Sequence, residues 1–192
     1  RDRHITWNNL YEKVCKFSNY LKKLSLKKGD RVAAYVPNKI ETIISFLACA
    51  KNGIIWSSCS PDFGVQGVVD RFKQIEPKVL ITSDYYFYNG KKINILDKVD
   101  EVLKQIPSIE KVIVYNYFKK EKENLKNFID FEETFNIELD ETFERFEFNH
   151  PIYILFSSGT TGKPKCITHG AGNVLIEQLS LIQISEPTRR TV

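Results

Sequence analysis

Residues 31–59 read RVAAYVPNKIETIISFLACAKNGIIWSSC. Two apolar, β-prone runs, Arg31–Val36 and Ile54–Cys59, flank a segment of different period. Pro37-Asn38 stops the first run. Ile40, Ile43, Ile44, Phe46, Leu47 and Ala50 then recur at helical spacing and give a broad apolar face. Gly53 is a natural C-terminal stop, because helices often end on a left-handed residue that only glycine adopts freely. Strand, helix and strand in this order form a crossover unit. Such units favour a parallel sheet with helices on its faces.

The same alternation extends both ways. Upstream, Leu10, Val14, Phe17, Leu21 and Leu24 line one helical face, and the Thr6 hydroxyl is placed to cap its start. Downstream, Ser60–Gly64 lies at the carboxyl end of the second strand, the edge where ligands of open α/β sheets usually sit, but its Pro, Asp and Gly read rather as a turn. A helix is expected over Val65–Gln74, a strand over Lys78–Thr82, a helix over Leu96–Ile106 and a strand over Lys111–Tyr115. Asp84–Lys92 reads as a polar-aromatic loop centred on the turn dipeptide Asn89-Gly90. Lys119–Asn149 is charged, but its six phenylalanines are too many for a free linker, so it is expected to pack against the sheet. Glu132, Glu133, Glu141 and Glu144 read as a solvated face. Trp56 is expected to face the core.

Composition narrows the function classes. Of 192 residues, 42% are hydrophobic, enough for the core of a soluble domain. The formal charge is +4 with lysines scattered, which does not point to nucleic acid. No run approaches the roughly 18 apolar residues of a membrane span. No secretory leader is legible. Cys15, Cys49, Cys59 and Cys166 form no C-x-x-C pair, and His4, His150 and His169 show no metal-ligand spacing. Reduced thiols in a cytoplasmic protein follow as the expectation. The sequence contains no methionine and opens on Arg1, so it reads as a piece of a longer protein.

One stretch carries chemistry. The apolar run Pro151–Phe156 leads into Ser157-Ser158-Gly159-Thr160-Thr161-Gly162-Lys163-Pro164-Lys165. Glycines allow close backbone approach, successive N–H groups form an anion nest, hydroxyls add donors, and lysine adds a compact charge suited to phosphate. The chemistry indicated is phosphate binding. It is not the common nucleoside-triphosphate loop, which needs G-x-x-x-x-G-K-[ST] opening a helix. Here Pro164 follows Lys163 and resists helix continuation. A helix is expected only later, over Asn173–Gln178.

The pattern S-S-G-T-T-G-x-P-K resembles the signature loop of the adenylate-forming superfamily, which includes the acyl-CoA synthetases. Gly29–Asn38 resembles the early part of short-chain acyl-CoA synthetases. Gly53–Gly64, Asp70-Arg71-Phe72, Gln74–Lys78, Tyr88–Lys91 and Lys165–Gly172 are similar to their acetoacetate-activating branch. There Cys166 stands where glycine is usual elsewhere in the superfamily.

The resemblance implies an incomplete α/β N-terminal domain over residues 1–178, with a mostly parallel sheet flanked by helices. It implies a ligase that uses ATP, Mg2+ and coenzyme A on acetoacetate. Ser157, Ser158, Gly159, Thr160, Thr161, Gly162 and Lys165 are then the ATP and pyrophosphate contacts, and Lys91 a lesser candidate for coenzyme A. The family's adenine-binding aromatic motif, ribose-binding aspartate, hinge and C-terminal catalytic lysine have no counterpart here, so the chain alone is expected to be inactive. From Leu179 the wording resembles a translated sequencing adapter, differing at Gln183, and residues 179–192 read as a non-native tail. The alternatives are a ligase for another short acid such as acetate, and a non-catalytic nucleotide-binding module.

Overall fold

The computed structural model describes residues 3–115, 128–157 and 162–185, the last four as backbone only. The first two elements in the chain are α1 (Trp7–Lys23) and β1 (Arg31–Tyr35). They are followed by α2 (Ile40–Lys51), β2 (Ile55–Cys59), α3 (Val65–Phe72) and β3 (Val79–Ser83). Next come β4 (Tyr85–Tyr88), β5 (Lys91–Asn94), α4 (Leu96–Gln105), β6 (Lys111–Tyr115) and β7 (Phe128–Asp130). A 3-10 turn (Glu132–Phe135) leads to β8 (Pro151–Ser157), β9 (Lys165–Gly170) and α5 (Ala171–Ser185).

Seven strands form one sheet in the order β7-β6-β3-β1-β2-β8-β9. All neighbours pair in parallel except β8 and β9, which are antiparallel. The pleat divides the core in two. Val32 and Ala34 of β1 face Phe17 and Leu21 of α1 and Ile44 and Ala48 of α2. Ala33 and Tyr35 face Val68 and Phe72 of α3 and Val99 and Val102 of α4. Both sheet faces are therefore covered, which is why β1, β3 and β6 are near-continuous apolar runs rather than alternating ones.

The expected α1 is present, with Thr6 Oγ1 accepting from Asn9 N–H at 3.3 Å. Trp56 is buried, 6.2 Å from the ring of Phe46. Gly53 follows α2 at φ +64°, and its N–H donates to the Ala50 carbonyl at 3.1 Å. A Cβ there would lie 2.6 Å from Phe146 Cε1 and 3.0 Å from His150 Nε2. Gly53→Ala combines left-handed strain with a clash, so it is expected to cost about 2 kcal/mol. A thermal midpoint equal to that of the parent protein would show that the ring yields freely.

Four expectations change. Asp84–Lys92 is not a loop: most of it belongs to the hairpin β4–β5, in which Tyr85 pairs with Asn94 and Tyr88 with Lys91. Asn89 (φ 48°) and Gly90 (φ 75°) both take positive φ, the signature of a tight hairpin turn. Its aromatic strands carry no clean alternation, because only Tyr86 is fully buried among their four aromatic residues. The segment after Pro164, for which no element was expected, is a strand, β9, that leads into the helix. The helix beyond it, α5, is longer than the expected Asn173–Gln178.

The described part of the Lys119–Asn149 segment, residues 128–149, does more than pack against the sheet. From Phe128 it supplies strand β7, and Phe131 is inserted fully into the core. Phe143 and Phe148 remain exposed, as do Glu132, Glu133, Glu141 and Glu144. The segment is tied to the helices through Asp140. Lys22 Nζ donates to Asp140 Oδ2 at 3.0 Å, and the buried Lys51 ammonium donates to the Asp140 carbonyl at 3.0 Å. Hydrogen bonds from Thr142, then from Lys22, hold the Asp140 carboxyl well below the usual carboxylate range.

Candidate nucleotide-binding site

Parallel strands end on a common edge, and in open α/β sheets ligands sit outside it. Here that edge carries Tyr35 of β1, Cys59 of β2 and Ser157 of β8. The chain leaves β1 for α2 on one face and β2 for α3 on the other. Diverging exits open a crevice. A cavity of about 310 Å³ occupies it, lined by Val36–Asn38, Ser58–Asp62 and Tyr86–Tyr88, among others.

The 60–64 turn is thus also a cavity wall, a role its composition did not reveal. Its position is fixed from beneath. The buried Tyr35 hydroxyl donates to the Pro61 carbonyl at 3.1 Å and also reaches the Phe63 carbonyl. Burial pushes the Tyr35 hydroxyl far above the ordinary phenol range, so it stays protonated as a donor. Ser60 Oγ donates to Asp62 Oδ2 at 3.0 Å. Arg71 stacks its guanidinium 4.3 Å from the Phe63 ring centroid. The available signal was Tyr35 itself: an aromatic hydroxyl at the end of a buried strand must find an acceptor nearby.

The hydroxyl- and glycine-rich loop joins β8 to β9. Ser157 pairs with Lys165 across this hairpin, so the loop returns as an antiparallel strand. Ser158, Gly159, Thr160 and Thr161 lie outside the described residues. Ser157 ends β8 half-buried, and Gly162, Lys163 and Lys165 are exposed. Among the described residues, Lys165 has no carboxylate within ion-pair distance. β8 is bound to β2 by a single ladder pair, Trp56–Tyr153, and by the buried Ser57 hydroxyl donating to the Ile154 carbonyl at 2.8 Å.

The far side of the hairpin rests on α3. Lys163 lines a polar cleft of about 380 Å³ with Gln66, Asp70, Lys73, Gln74 and Gln105. None of the described loop residues lines the 310 Å³ cavity. Lys91 sits exposed at the β4–β5 turn, paired with the cavity-lining Tyr88. His169 packs its ring 4.9 Å from that of Tyr153.

All four cysteines are free, three of them buried. Burial alone raises the Cys49 thiol far above its usual range. Burial likewise raises the Cys59 thiol, to about 12, against a smaller opposing effect of Arg71, so neither is a nucleophile at neutral pH. Among the described residues no group of three His, Cys, Asp or Glu side chains could hold a metal. No helix there is long and apolar enough to cross a membrane.

The family described as AMP-binding enzyme matches residues 1–191. An acetoacetyl-CoA synthetase of Xenopus tropicalis is 44% identical over 191 residues, covering 92% of this chain and 28% of its own. A malonamoyl-CoA synthetase of Penicillium aethiopicum is 40% identical over 183 residues, covering 90% of this chain and 25% of its own. The solved acetoacetyl-CoA synthetase from Streptomyces lividans superposes with a TM-score of 0.90 at 36% identity, covering 95% of this chain and 28% of that one. The chain therefore spans under a third of the length of these relatives. The sheet described above is the corresponding part of their fold, and the chain belongs to the AMP-binding enzyme family.

Proposed function

We propose that this chain is part of an acid–thiol ligase that activates acetoacetate with ATP and passes it to coenzyme A. The observation that carries the reading is the S-S-G-T-T-G-x-P-K loop, set between a parallel strand and its antiparallel return, in a chain 44% identical to an acetoacetyl-CoA synthetase. In the first step a carboxylate oxygen of acetoacetate attacks the α-phosphate of ATP. The bond from that phosphorus to the bridging oxygen breaks, giving acetoacetyl-AMP and pyrophosphate. In the second, the thiol of coenzyme A attacks the acyl carbon and AMP leaves.

The work of this chain lies in the first step. Charge accumulates on the departing pyrophosphate. Donors of Ser157, Ser158, Thr160 and Thr161, backbone N–H groups around Gly159 and Gly162, and the Lys165 ammonium would hold it. Preorganised donors are worth most where charge develops. Mg2+ would accompany the triphosphate oxygens. Among the described residues no group of three His, Cys, Asp or Glu side chains could hold it. Lys91, paired with the cavity-lining Tyr88, would meet a phosphate of coenzyme A as a point charge.

At 40% identity, the relative named malonamoyl-CoA synthetase falls within the 38–45% range of those named for acetoacetate. A ligase for another short acid is therefore the second reading. The test is acid-dependent ATP–pyrophosphate exchange by the full-length protein that carries this segment. Acetoacetate is expected to support exchange well above acetate and malonamate, and residues 1–192 alone are expected to support none. Exchange with one of the other acids but not with acetoacetate overturns the substrate assignment.

A further inference from the structure

The family signature accounts for residues 157–165 but not for what holds their far side. One side chain does so from both flanks of Lys165. Gln74 Nε2 donates to the Pro164 carbonyl at 2.9 Å, and Gln74 Oε1 accepts from Cys166 Sγ at 3.6 Å. The same Nε2 donates to the Asp70 carbonyl at 2.7 Å. Only one orientation of the amide satisfies all three contacts, since two partners are carbonyls and the third is a thiol. Partial desolvation raises the Cys166 thiol, so it keeps the proton that it donates.

Gln74 is itself held. It follows α3 in a turn where Ile75 is buried and Glu76 takes φ +46°. Arg31, at the start of β1, donates to the Ile75 carbonyl at 2.6 Å and to the Glu76 carbonyl at 3.1 Å. A rigid path therefore runs from the central strand through the 73–76 turn to the residues before and after Lys165. Ser157 fixes Lys165 from the other side by strand pairing.

We propose that Gln74 is a positioning residue for the phosphate loop, setting the place of Lys165 through Pro164 and Cys166. The inference rests on the ATP-binding reading of that loop. A planar amide is suited to the task because it donates and accepts from one rigid group. It also gives Cys166 a part: a thiol here donates to Gln74, which a glycine could not do.

The test uses the full-length protein with Gln74→Ala, Gln74→Glu and Cys166→Ala. In pyrophosphate exchange, Gln74→Ala is expected to raise the KM for ATP about fivefold, the equivalent of one lost hydrogen bond. The KM for the acid and the thermal midpoint are expected to stay unchanged, because Gln74 is exposed. Gln74→Glu, which keeps the acceptor for Cys166 but sets a carboxylate oxygen against the Pro164 and Asp70 carbonyls, should do at least as much harm as Gln74→Ala. Cys166→Ala should add little to Gln74→Ala, since the two share one contact.

A second readout needs no turnover. Alkylation of Cys166, followed by peptide mass spectrometry, should be faster in Gln74→Ala. An ATP KM equal to that of the active parent overturns the inference. A parent without exchange, but with faster Cys166 alkylation in the variant, supports the brace and rejects the ligase reading instead. Unchanged alkylation rejects the brace.

Discussion

Replacing Lys165 by alanine in the full-length protein is expected to lower kcat/KM for ATP–pyrophosphate exchange about 100-fold, the scale of removing one preorganised donor from a developing anion. Lys165 is exposed, and among the described residues it has no carboxylate within ion-pair distance. Its removal therefore costs little folding stability, and the loss should fall on phosphate. The KM for the acid should change much less. Lys165→Arg keeps the charge but replaces a point cation by a wider planar fork, so partial activity is expected. Lys163→Ala is the control: it removes a neighbouring positive charge at the variable position of the motif. Equal losses from Lys163→Ala and Lys165→Ala would mean that general positive potential, not a placed ammonium, is at work. A loss below about threefold for Lys165→Ala would remove it from the site.

The largest expected stability effect lies far from that loop. Phe131 is fully buried, with ring centroids 5.1 Å from Phe17, 4.8 Å from Tyr115 and 5.1 Å from Phe135. Its N–H donates to the Val114 carbonyl at 3.0 Å, so the ring is delivered from a fixed backbone. Phe131→Ala removes the centre of a four-ring cluster and is expected to cost about 3–5 kcal/mol. Amide exchange in β6 reads this locally. Protection of Ile113 and Val114 should fall by roughly two to three and a half orders of magnitude, at 1.4 kcal/mol per tenfold. A change of less than about tenfold would show that the cluster collapses around the gap or that β6 is held without it.

These two residues differ in how legible they were. Lys165 stands in a motif whose residue types state their own chemistry: glycines for close approach, hydroxyls for donors, lysine for charge. Phe131 stands in a charged, aromatic segment with neither a helical nor a strand period. Its burial depends on β7 pairing with β6, a contact between segments separated in sequence. The hairpin β4–β5 was half legible. Asn89-Gly90 announced a turn, but the flanking strands, lying outside the main sheet with only one aromatic fully buried, lack the alternation that marks a strand.

The crossover at residues 31–59 was readable because β1 and β2 are covered on both faces and α2 packs on a broad stripe. Their periods are imposed by burial and survive in the sequence. Gly53, Thr6 and the phosphate loop were readable for a related reason: each is a local solution to a local backbone or charge requirement. What only the tertiary structure decided is which distant groups meet. It set the strand order, made the 60–64 turn a cavity wall through the Tyr35 hydroxyl, and brought Gln74 to Pro164 and Cys166, 90 and 92 residues away. Such contacts leave no period in the chain, because each needs only one polar atom at one place in space. The sequence by itself determined the kind of sheet and set down a loop whose residue types suit phosphate; packing determined which distant side chain meets the residues on either side of Lys165.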